Sequence, residues 1–222
     1  MARKNKSRPR SVRKGVTPGS RLPREPVFFC AEGLTEVQYV KALLQYRYKD
    51  LFVAQPIGRS GLKTSLVNLI NSARLEERKW RRSDRHRAIW ILCDADENAV
   101  HLHELEKWLA ESDTHRCAIQ SPAIEGWFLQ HFDNPARPTT SREALALLQK
   151  KWQPYSKGQE IPSWLIEKTE EACRREHEFL RSVPAKVGSS WPPDRVSQLV
   201  NFVAYLDQRA EKLRSWRPPT SR

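Results

Sequence analysis

The sequence predicts an α/β fold in which about four parallel strands form a doubly wound sheet. Short apolar runs alternate with stretches of helical periodicity over residues 26–133. These runs show little alternation of polar and apolar residues, which indicates strands that are buried on both faces. Strands and helices that alternate in such short units favour parallel pairing through right-handed crossovers.

Each element of this unit is predicted from its local pattern. The run 27–31 is bounded by Pro26 and by Glu32-Gly33, and the run 88–93 is the clearest strand. Helical faces follow from apolar residues at three- and four-residue spacing. The predicted order is a strand at 27–31, a helix capped by Thr35, a strand at 51–57, a helix at 62–80, a strand at 88–93, a helix at about 100–110, a strand at 116–120 and an aromatic helix after Ser121-Pro122.

Two further regions flank this unit. Residues 134–222 contain no convincing strand, and helices are predicted at 141–151, about 162–182 and about 194–213. This region is expected to form a helical cap on the sheet. Residues 1–25 are expected to form a disordered basic arm, because they are rich in Lys, Arg and Pro and contain few apolar residues.

Positive charge is the strongest compositional signal. The 222 residues include 39 Lys and Arg against 26 Asp and Glu, which gives a net charge of +13. Nine of the basic residues lie in the arm. A cationic tail of this kind binds a phosphate backbone without sequence choice, which predicts nucleic acid as a partner. The alternative is a solubilising extension that has no specific partner.

Membrane spanning and secretion are not expected. The longest apolar runs, such as 88–93, are far shorter than the roughly 20 residues of a transmembrane helix. No apolar segment typical of a signal peptide follows the basic amino terminus. The four cysteines form no C-x-x-C pair, and three of them lie in or beside apolar runs. They are expected to be core residues of a cytoplasmic protein.

Acidic residues follow two of the predicted strands. Glu32 comes directly after the first strand, and Glu36 lies one helical turn later. Asp94 and Asp96 come directly after the third strand. Ligands of open parallel sheets collect at the carboxyl ends of the strands, and Mg²⁺ prefers carboxylates together with water and phosphate. A metal site for phosphate chemistry is predicted here, with helix N-capping by the aspartates as the alternative.

Three segments carry a family resemblance. Residues 29–39 read F-C-A-E-G-L-T-E-V-Q-Y, residues 91–97 read I-L-C-D-A-D-E, and residues 121–132 read S-P-A-I-E-G-W-F-L-Q-H-F. They resemble the C-E-G-x-T-E-x-x-Y opening, the D-x-D strand and the N-P-x-F-E-x-W-L-L-x-H-F helix of RloB-like proteins, whose core is a TOPRIM domain. The third match is the most specific, and the resemblance covers about 27–200, with a fainter match at 155–157. The departures are Ala31, which is interposed, Ser121 in place of Asn, and Ile124 in place of Phe.

The resemblance implies a TOPRIM-like fold and a function. TOPRIM domains use a glutamate after the first strand and the D-x-D pair to hold magnesium, which here implies Glu32, Asp94 and Asp96. RloB-like proteins are linked with prokaryotic anti-phage and abortive-infection systems, often beside an ABC-type or AAA-type ATPase, and are taken to be nucleases. The expected activity is Mg²⁺- or Mn²⁺-dependent hydrolysis of phosphodiester bonds in DNA or RNA.

Three further residues are predicted to be catalytic. Glu36 or Glu125 would orient the groups that hold the metal, and Glu32 would also act as the general base. For Glu125 the alternative role is a favourable interaction with the helix dipole. Lys157, on a loop flanked by Gly and Pro, would stabilise the charge of a pentacoordinate phosphate, or is an ordinary exposed lysine.

A second basic stretch surrounds Trp80. It predicts a nucleic-acid contact that combines positive charge with one stacking aromatic ring, and the alternative is the solvated end of a helix. The predicted contact residues are Arg78, Lys79, Arg81 and Arg82.

The alternative to a nuclease is a catalytically silent, nucleic-acid-binding subunit of a defence complex with an ATPase partner. It would keep the fold and the positive charge but would not turn over substrate. An oligomer is compatible with either function.

Overall fold

A parallel sheet of four strands forms the centre of the computed structural model, which describes residues 24–80, 87–96, 98–183 and 191–216. The spatial order of the strands is β2-β1-β3-β4, and every neighbouring pair is parallel. The predicted α/β class and parallel sheet are therefore confirmed, and they are consistent with a TOPRIM-like fold. The strands are β1 (Glu25–Ala31), β2 (Phe52–Pro56), β3 (Ile89–Asp94) and β4 (His115–Gln120).

Helices connect and cover the strands. Those within the described residues are α1 (Leu34–Tyr46), α2 (Leu66–Trp80), a short 3-10 helix (Ala99–His101), α3 (Leu102–Ala110), α4 (Ile124–Leu129), α5 (Ser141–Lys151), α6 (Ser163–Glu167), α7 (Thr169–Ser182) and α8 (Leu199–Ser215). None of these helices is both long enough and apolar enough to cross a bilayer.

Burial on both faces of the sheet is clearest in β3, where residues 89–93 are all buried. Successive side chains of a strand point to opposite faces. Trp90 and Leu92 pack into an apolar cluster with α1, α4 and α8. The side chains of Ile89, Ile91 and Cys93 pack on the other face with α2 and α3. Helices on both faces confirm the doubly wound arrangement.

Three helix starts differ from the predictions. The helix predicted at 62–80 begins at Leu66, because the preceding loop hydrogen-bonds to the end of β1. The helix predicted at about 194–213 begins at Leu199, because residues 196–198 pair with the edge of β4. The prediction that Thr35 caps α1 is wrong, since Gly33 is the N-cap residue and no described side chain caps this helix.

The outer edge of β4 is covered by the segment that precedes α8. The Gln198 N–H donates to the Ile119 carbonyl (2.9 Å), and the Gln198 side-chain oxygen accepts from the Ile119 N–H (3.0 Å). The Ser121 N–H donates to the Val196 carbonyl (2.9 Å). These bonds attach the carboxyl-terminal helices to the sheet at a place where a strand would otherwise have unpaired backbone groups.

The predicted amino-terminal boundary needs one correction. Glu25, which was assigned to the basic arm, is the first residue of β1, and its carboxylate pairs with Arg209 at 2.6 Å. The remainder of the predicted disordered arm, residues 1–23, lies outside the described residues. At the other predicted boundary, Leu148 and Phe202 pack into the same apolar cluster as Phe29 of the sheet. The helices after residue 134 therefore share a core with the α/β unit.

A buried ion pair ties three segments of the helical region together. The Arg137 guanidinium, before α5, donates to both Glu176 carboxylate oxygens of α7 (3.0 and 3.1 Å). It also donates to the Arg175 and Arg195 carbonyls and lies over the Phe179 ring. The Glu176 side chain is only 1% exposed. A carboxylate buried this deeply depends on its partner for solvation.

We expect Arg137→Met to lower the free energy of unfolding by about 3–5 kcal/mol, because it leaves the Glu176 charge buried without a partner. Urea denaturation followed by circular dichroism measures the effect. Arg174→Met is the matched control, since its exposed pairs with Glu171 and Glu178 should contribute little. The double variant Arg137→Met/Glu176→Leu should regain much of the loss. A single variant as stable as the control would contradict this account.

Candidate functional site

A cavity of about 290 Å³ opens at the carboxyl ends of β1 and β3. This is the edge where the sequence predicts a site. Its lining combines carboxylates, two lysines and three glycines, and consists of Glu32, Gly33, Leu34, Thr35, Glu36, Gly61, Lys63, Asp94, Ile124, Glu125, Lys157 and Gly158. Five of the six predicted catalytic side chains line this cavity. Four of them are carboxylates, and the fifth is Lys157.

Glu32 is held rigidly in the turn after β1. Its N–H donates to the Leu92 carbonyl (3.1 Å), and its carbonyl accepts from the Thr64 N–H (3.2 Å). Its Oε2 accepts from the Asn98 side-chain amide at 2.7 Å and from the Asp94 N–H at 3.4 Å. The same Asn98 amide donates to the Asp94 carbonyl (2.8 Å). These hydrogen bonds fix the Glu32 carboxylate beside the end of β3.

Asp94 is the last residue of β3 and links the sheet to α4. Its Oδ1 accepts from the Ile124 N–H, at the start of α4, at 3.0 Å. Burial raises the pKa of the Asp94 carboxyl well above its ordinary value, and the negative charges of Glu36, Glu125 and Glu32 raise it further. The direction follows because both burial and like charge disfavour the ionised form.

Glu36 and Glu125 are the most deeply buried carboxylates of the cavity, at 3% and 0% exposure. One oxygen of each, Oε2, has no hydrogen-bond partner among the described residues. The Glu125 Oε1 accepts from the Tyr155 hydroxyl at 3.1 Å and lies 3.6 Å from the Lys157 ammonium. Buried oxygens without donors are costly and require a proton or a cation. Burial, with the charges of Glu32 and Glu125, raises the pKa of Glu36 to about 7.

The loop that carries Tyr155 and Lys157 is fixed against the start of α1. The Gly158 N–H donates to the Thr35 hydroxyl at 2.9 Å. Gly158 has a positive φ of 80° and lies directly against Leu34, so a side chain at this position would be strained and would crowd Leu34. This contact brings a loop from the helical region to a site on the sheet. The faint motif match at 155–157 is the signal in the sequence that points to Tyr155.

Asp96 does not line the cavity. Its side chain is exposed, and its Oδ2 accepts from the Ser141 N–H (3.0 Å) and hydroxyl (2.7 Å) at the start of α5. Across the described ranges, no three His, Cys, Asp or Glu side chains lie close enough together to hold a metal ion in this conformation. The structure therefore brings Glu32 and Asp94 together but holds Asp96, the third predicted ligand, on α5.

The two predicted nucleic-acid-binding residues that the structure describes, Arg78 and Lys79, lie away from the cavity. Arg78 and Lys79 are exposed in the last turn of α2, where Lys79 pairs with Glu76 at 2.6 Å. The next residue, Trp80, stacks edge-on against Phe28, which pairs with the first residue of β3. This end of α2 is therefore near the amino ends of the strands, opposite the cavity. Arg81 and Arg82 lie outside the described residues.

Sequence reasoning missed two residues of the site. Asn98 follows the D-x-D segment, and its role as donor to Glu32 depends on a contact across 66 positions of the chain. Lys63 falls within the stretch predicted as helix, so its place in a loop over the cavity was not expected. No local pattern marks either residue, because both roles depend on where a loop packs.

The comparisons with known proteins identify a family. The family model described as RloB-like protein matches residues 27–203, which confirms the resemblance seen in the motifs. No curated protein and no solved structure matches the chain.

We expect Glu36 to contribute less and less to the stability of the protein in EDTA as pH rises from about 4.5 to about 7. The folded state holds the Glu36 proton more tightly than the unfolded state, whose pKa is near 4.5, so folding binds protons in this window. Above about pH 7, the difference between the folded and unfolded pKa values of Glu36 lowers the free energy of unfolding by about 3 kcal/mol. Glu36→Gln should therefore be more stable than the wild type at pH 8 and nearly equal to it at about pH 4, below the window, as measured by urea denaturation.

The matched control for this experiment is Glu167→Gln, which alters an exposed carboxyl of α6. It should have the same pH dependence as the wild type. Glu36→Gln also removes a charge that raises the pKa of Asp94, so the difference reports Glu36 together with its coupling to Asp94. An identical pH dependence in Glu36→Gln and the wild type would refute the assignment.

Proposed function

The chain belongs to the RloB-like family, and from that premise we propose that it is a divalent-cation-dependent nuclease that hydrolyses phosphodiester bonds of DNA or RNA. One observation carries the proposal. Four carboxylates line one cavity at the carboxyl edge of a parallel sheet, and two of them have a buried oxygen with no donor among the described residues. The family resemblance further supports a role in anti-phage defence, in which an ABC-type or AAA-type ATPase would be the partner.

The donor set of the cavity fits Mg²⁺ or Mn²⁺. Hard divalent cations bind carboxylate oxygens, and they keep water and phosphate in their remaining positions. We assign Glu32 and Asp94 as ligands, together with Glu36 and Glu125, whose orphaned oxygens a cation would satisfy. These carboxylates line one cavity, and side-chain rotations that bring them together would complete the set. Asp96 would join only after release from Ser141.

A divalent cation held by these carboxylates would supply polarisation of the phosphodiester and a lower pKa for a bound water. The residues of the chain supply the rest. Glu32, fixed by the Asn98 amide, is placed to accept the proton of the attacking water. The Lys157 ammonium is oriented by Glu125 and is 54% exposed at its side chain, so it can reach the negative charge that develops on the phosphate.

A second candidate function has a specific observation in its favour. Asp96 is bound to α5 and the remaining carboxylates do not converge on one point within the described residues. A protein held in this arrangement would bind nucleic acid through its positive charge and would not cut it. Such a protein would be the catalytically silent subunit. Cleavage assays and the effect of Mg²⁺ on the melting temperature distinguish it from a nuclease.

We expect Asp94→Asn to reduce metal-dependent cleavage at least about 100-fold, since changes even beside metal ligands cost 10- to 100-fold. The wild type is incubated with tRNA, single-stranded DNA and plasmid, in Mg²⁺, Mn²⁺ or EDTA. Asp113→Asn, in the exposed loop before β4, is the matched control and should cut normally. Normal cutting by Asp94→Asn would remove Asp94 from the mechanism. Binding without cutting in every metal would favour the silent subunit.

We also expect Mg²⁺ to raise the melting temperature of the wild type in the absence of nucleic acid. A ligand that binds only the folded state at 100 times its Kd adds about 2.7 kcal/mol of stability. Asp94→Asn should lose most of this shift, and Asp113→Asn should keep it. Equal shifts in all three proteins would show that Mg²⁺ binds elsewhere, and differential scanning calorimetry measures the difference.

A further inference from the structure

Lys63 is a lysine of the cavity that neither the motifs nor the proposed mechanism uses. It lies in the loop between β2 and α2, its side chain is exposed, and it lines the same cavity as the carboxylates. No ion pair involving Lys63 is found among the described residues, so it does not neutralise a carboxylate as Lys157 does. Its positive charge is therefore available at the mouth of an acidic site.

The backbone on both sides of Lys63 is fixed to the Glu32 turn. The preceding residue, Leu62, forms a bridge with Gly33, and the following Thr64 donates its N–H to the Glu32 carbonyl at 3.2 Å. Lys63 itself has a positive φ of 45°, which is uncommon for a residue with a side chain. Such a conformation persists only where surrounding contacts determine it. The loop thus holds Lys63 at a defined place beside the carboxylates.

Three positive features meet at this wall of the cavity. Gly61 of the Lys63 loop and Gly158 of the Lys157 loop both lie against Leu34, the first residue of α1. The amino terminus of α1 carries partial positive charge and has no side-chain cap hydrogen bond within the described part of the chain, and the acidic Glu36 lies in its first turn. Helix amino termini flanked by lysines are suited to bind phosphate. Glu36 and Glu125 line the same cavity, and each has a buried oxygen with no donor among the described residues. These oxygens indicate a cation as the second part of the ligand.

We propose that Lys63, Lys157 and the amino terminus of α1 form the phosphate-binding site for the substrate backbone, beside the cation site. This inference rests on the proposed function, because it names the residues that hold the phosphodiester. One divalent cation leaves the four carboxylates, when ionised, with two uncompensated negative charges. Lys63 and Lys157 balance these two charges, so that an anionic phosphodiester can approach. Lys63 is a substrate-binding residue in this arrangement.

The test measures binding in the full chain without turnover. A fluorescein-labelled 12-nucleotide single-stranded DNA is titrated by fluorescence anisotropy in Ca²⁺, which also binds carboxylate oxygens, and again in EDTA. The variants are Lys63→Met and Lys63→Arg. Lys150→Met, which removes an equal charge from the exposed face of α5, is the matched control. Circular dichroism and melting temperature establish that each variant is folded.

In Ca²⁺ we expect Lys63→Met to weaken binding about tenfold, as for the loss of one charge-assisted contact. The slope of log affinity against log salt should fall by about 0.7, the value for one phosphate contact on a single strand. Lys63→Arg should retain most of the affinity, and Lys150→Met should match the wild type. In EDTA, Lys63→Met and the wild type should bind equally, because the unneutralised carboxylates then repel phosphate from the cavity.

Three outcomes would overturn the proposal. The first is that Lys63→Met and Lys150→Met bind the DNA with equal affinity in Ca²⁺. The second is that Lys63→Met loses as much affinity in EDTA as in Ca²⁺. The third is that the wild type binds no more tightly in Ca²⁺ than in EDTA. Cleavage assays in Mg²⁺ distinguish this failure from that of the nuclease. Asp94-dependent cutting with unaltered binding by Lys63→Met would refute only the phosphate site. If the binding results are as expected but the wild type does not cut in any metal, only the proposed nuclease activity is refuted.

Discussion

In the parallel pairing of β1 with β3, Ala31 lies opposite Leu92, so the residues that follow leave the sheet close together. Glu32 continues the pairing through its N–H, and its carboxylate then accepts from the Asp94 N–H. A shift of either strand by one residue would turn the side chains of that strand to the other face of the sheet and would separate Glu32 from Asp94. The cavity, its charge and the approach of the loops all depend on this register.

The carboxylates of the cavity are placed at an energetic cost. Burial and mutual repulsion raise the pKa values of Asp94 and Glu36, which means that the folded state is strained while these groups are ionised. The apolar clusters on both faces of the sheet offset this cost. Groups that disfavour folding are commonly found at functional sites, where a ligand relieves the repulsion.

The helical region contributes directly to the site. It delivers Tyr155 and Lys157 to Glu125, it packs Gly158 against the start of α1, and it holds Asp96 at Ser141. The exposed basic end of α2 is different, because Arg78 and Lys79 lie near the opposite edge of the sheet. The positive charge near the cavity comes from lysines in loops. The positive charge at the end of α2 is suited only to contact a part of a nucleic acid that lies outside the cavity.

The sequence by itself determined the fold class, the order of the strands along the chain and the candidate residues Glu32, Asp94, Glu36 and Glu125. Apolar runs that are buried on both faces and acidic residues directly after strands are local patterns, so they can be recognised without coordinates. The start of α2, the true N-cap of α1 and the place of Asp96 were decided by contacts between distant segments.

Only the tertiary structure brought Asn98 to Glu32, Tyr155 to Glu125 and Lys63 to the cavity. It also separated Arg78 and Lys79 from the carboxylates. The physical reason is that hydrogen bonds of loops depend on which surface a loop meets after the sheet has formed, and local propensity does not encode that surface. Strand burial, in contrast, is imposed by the composition of each strand.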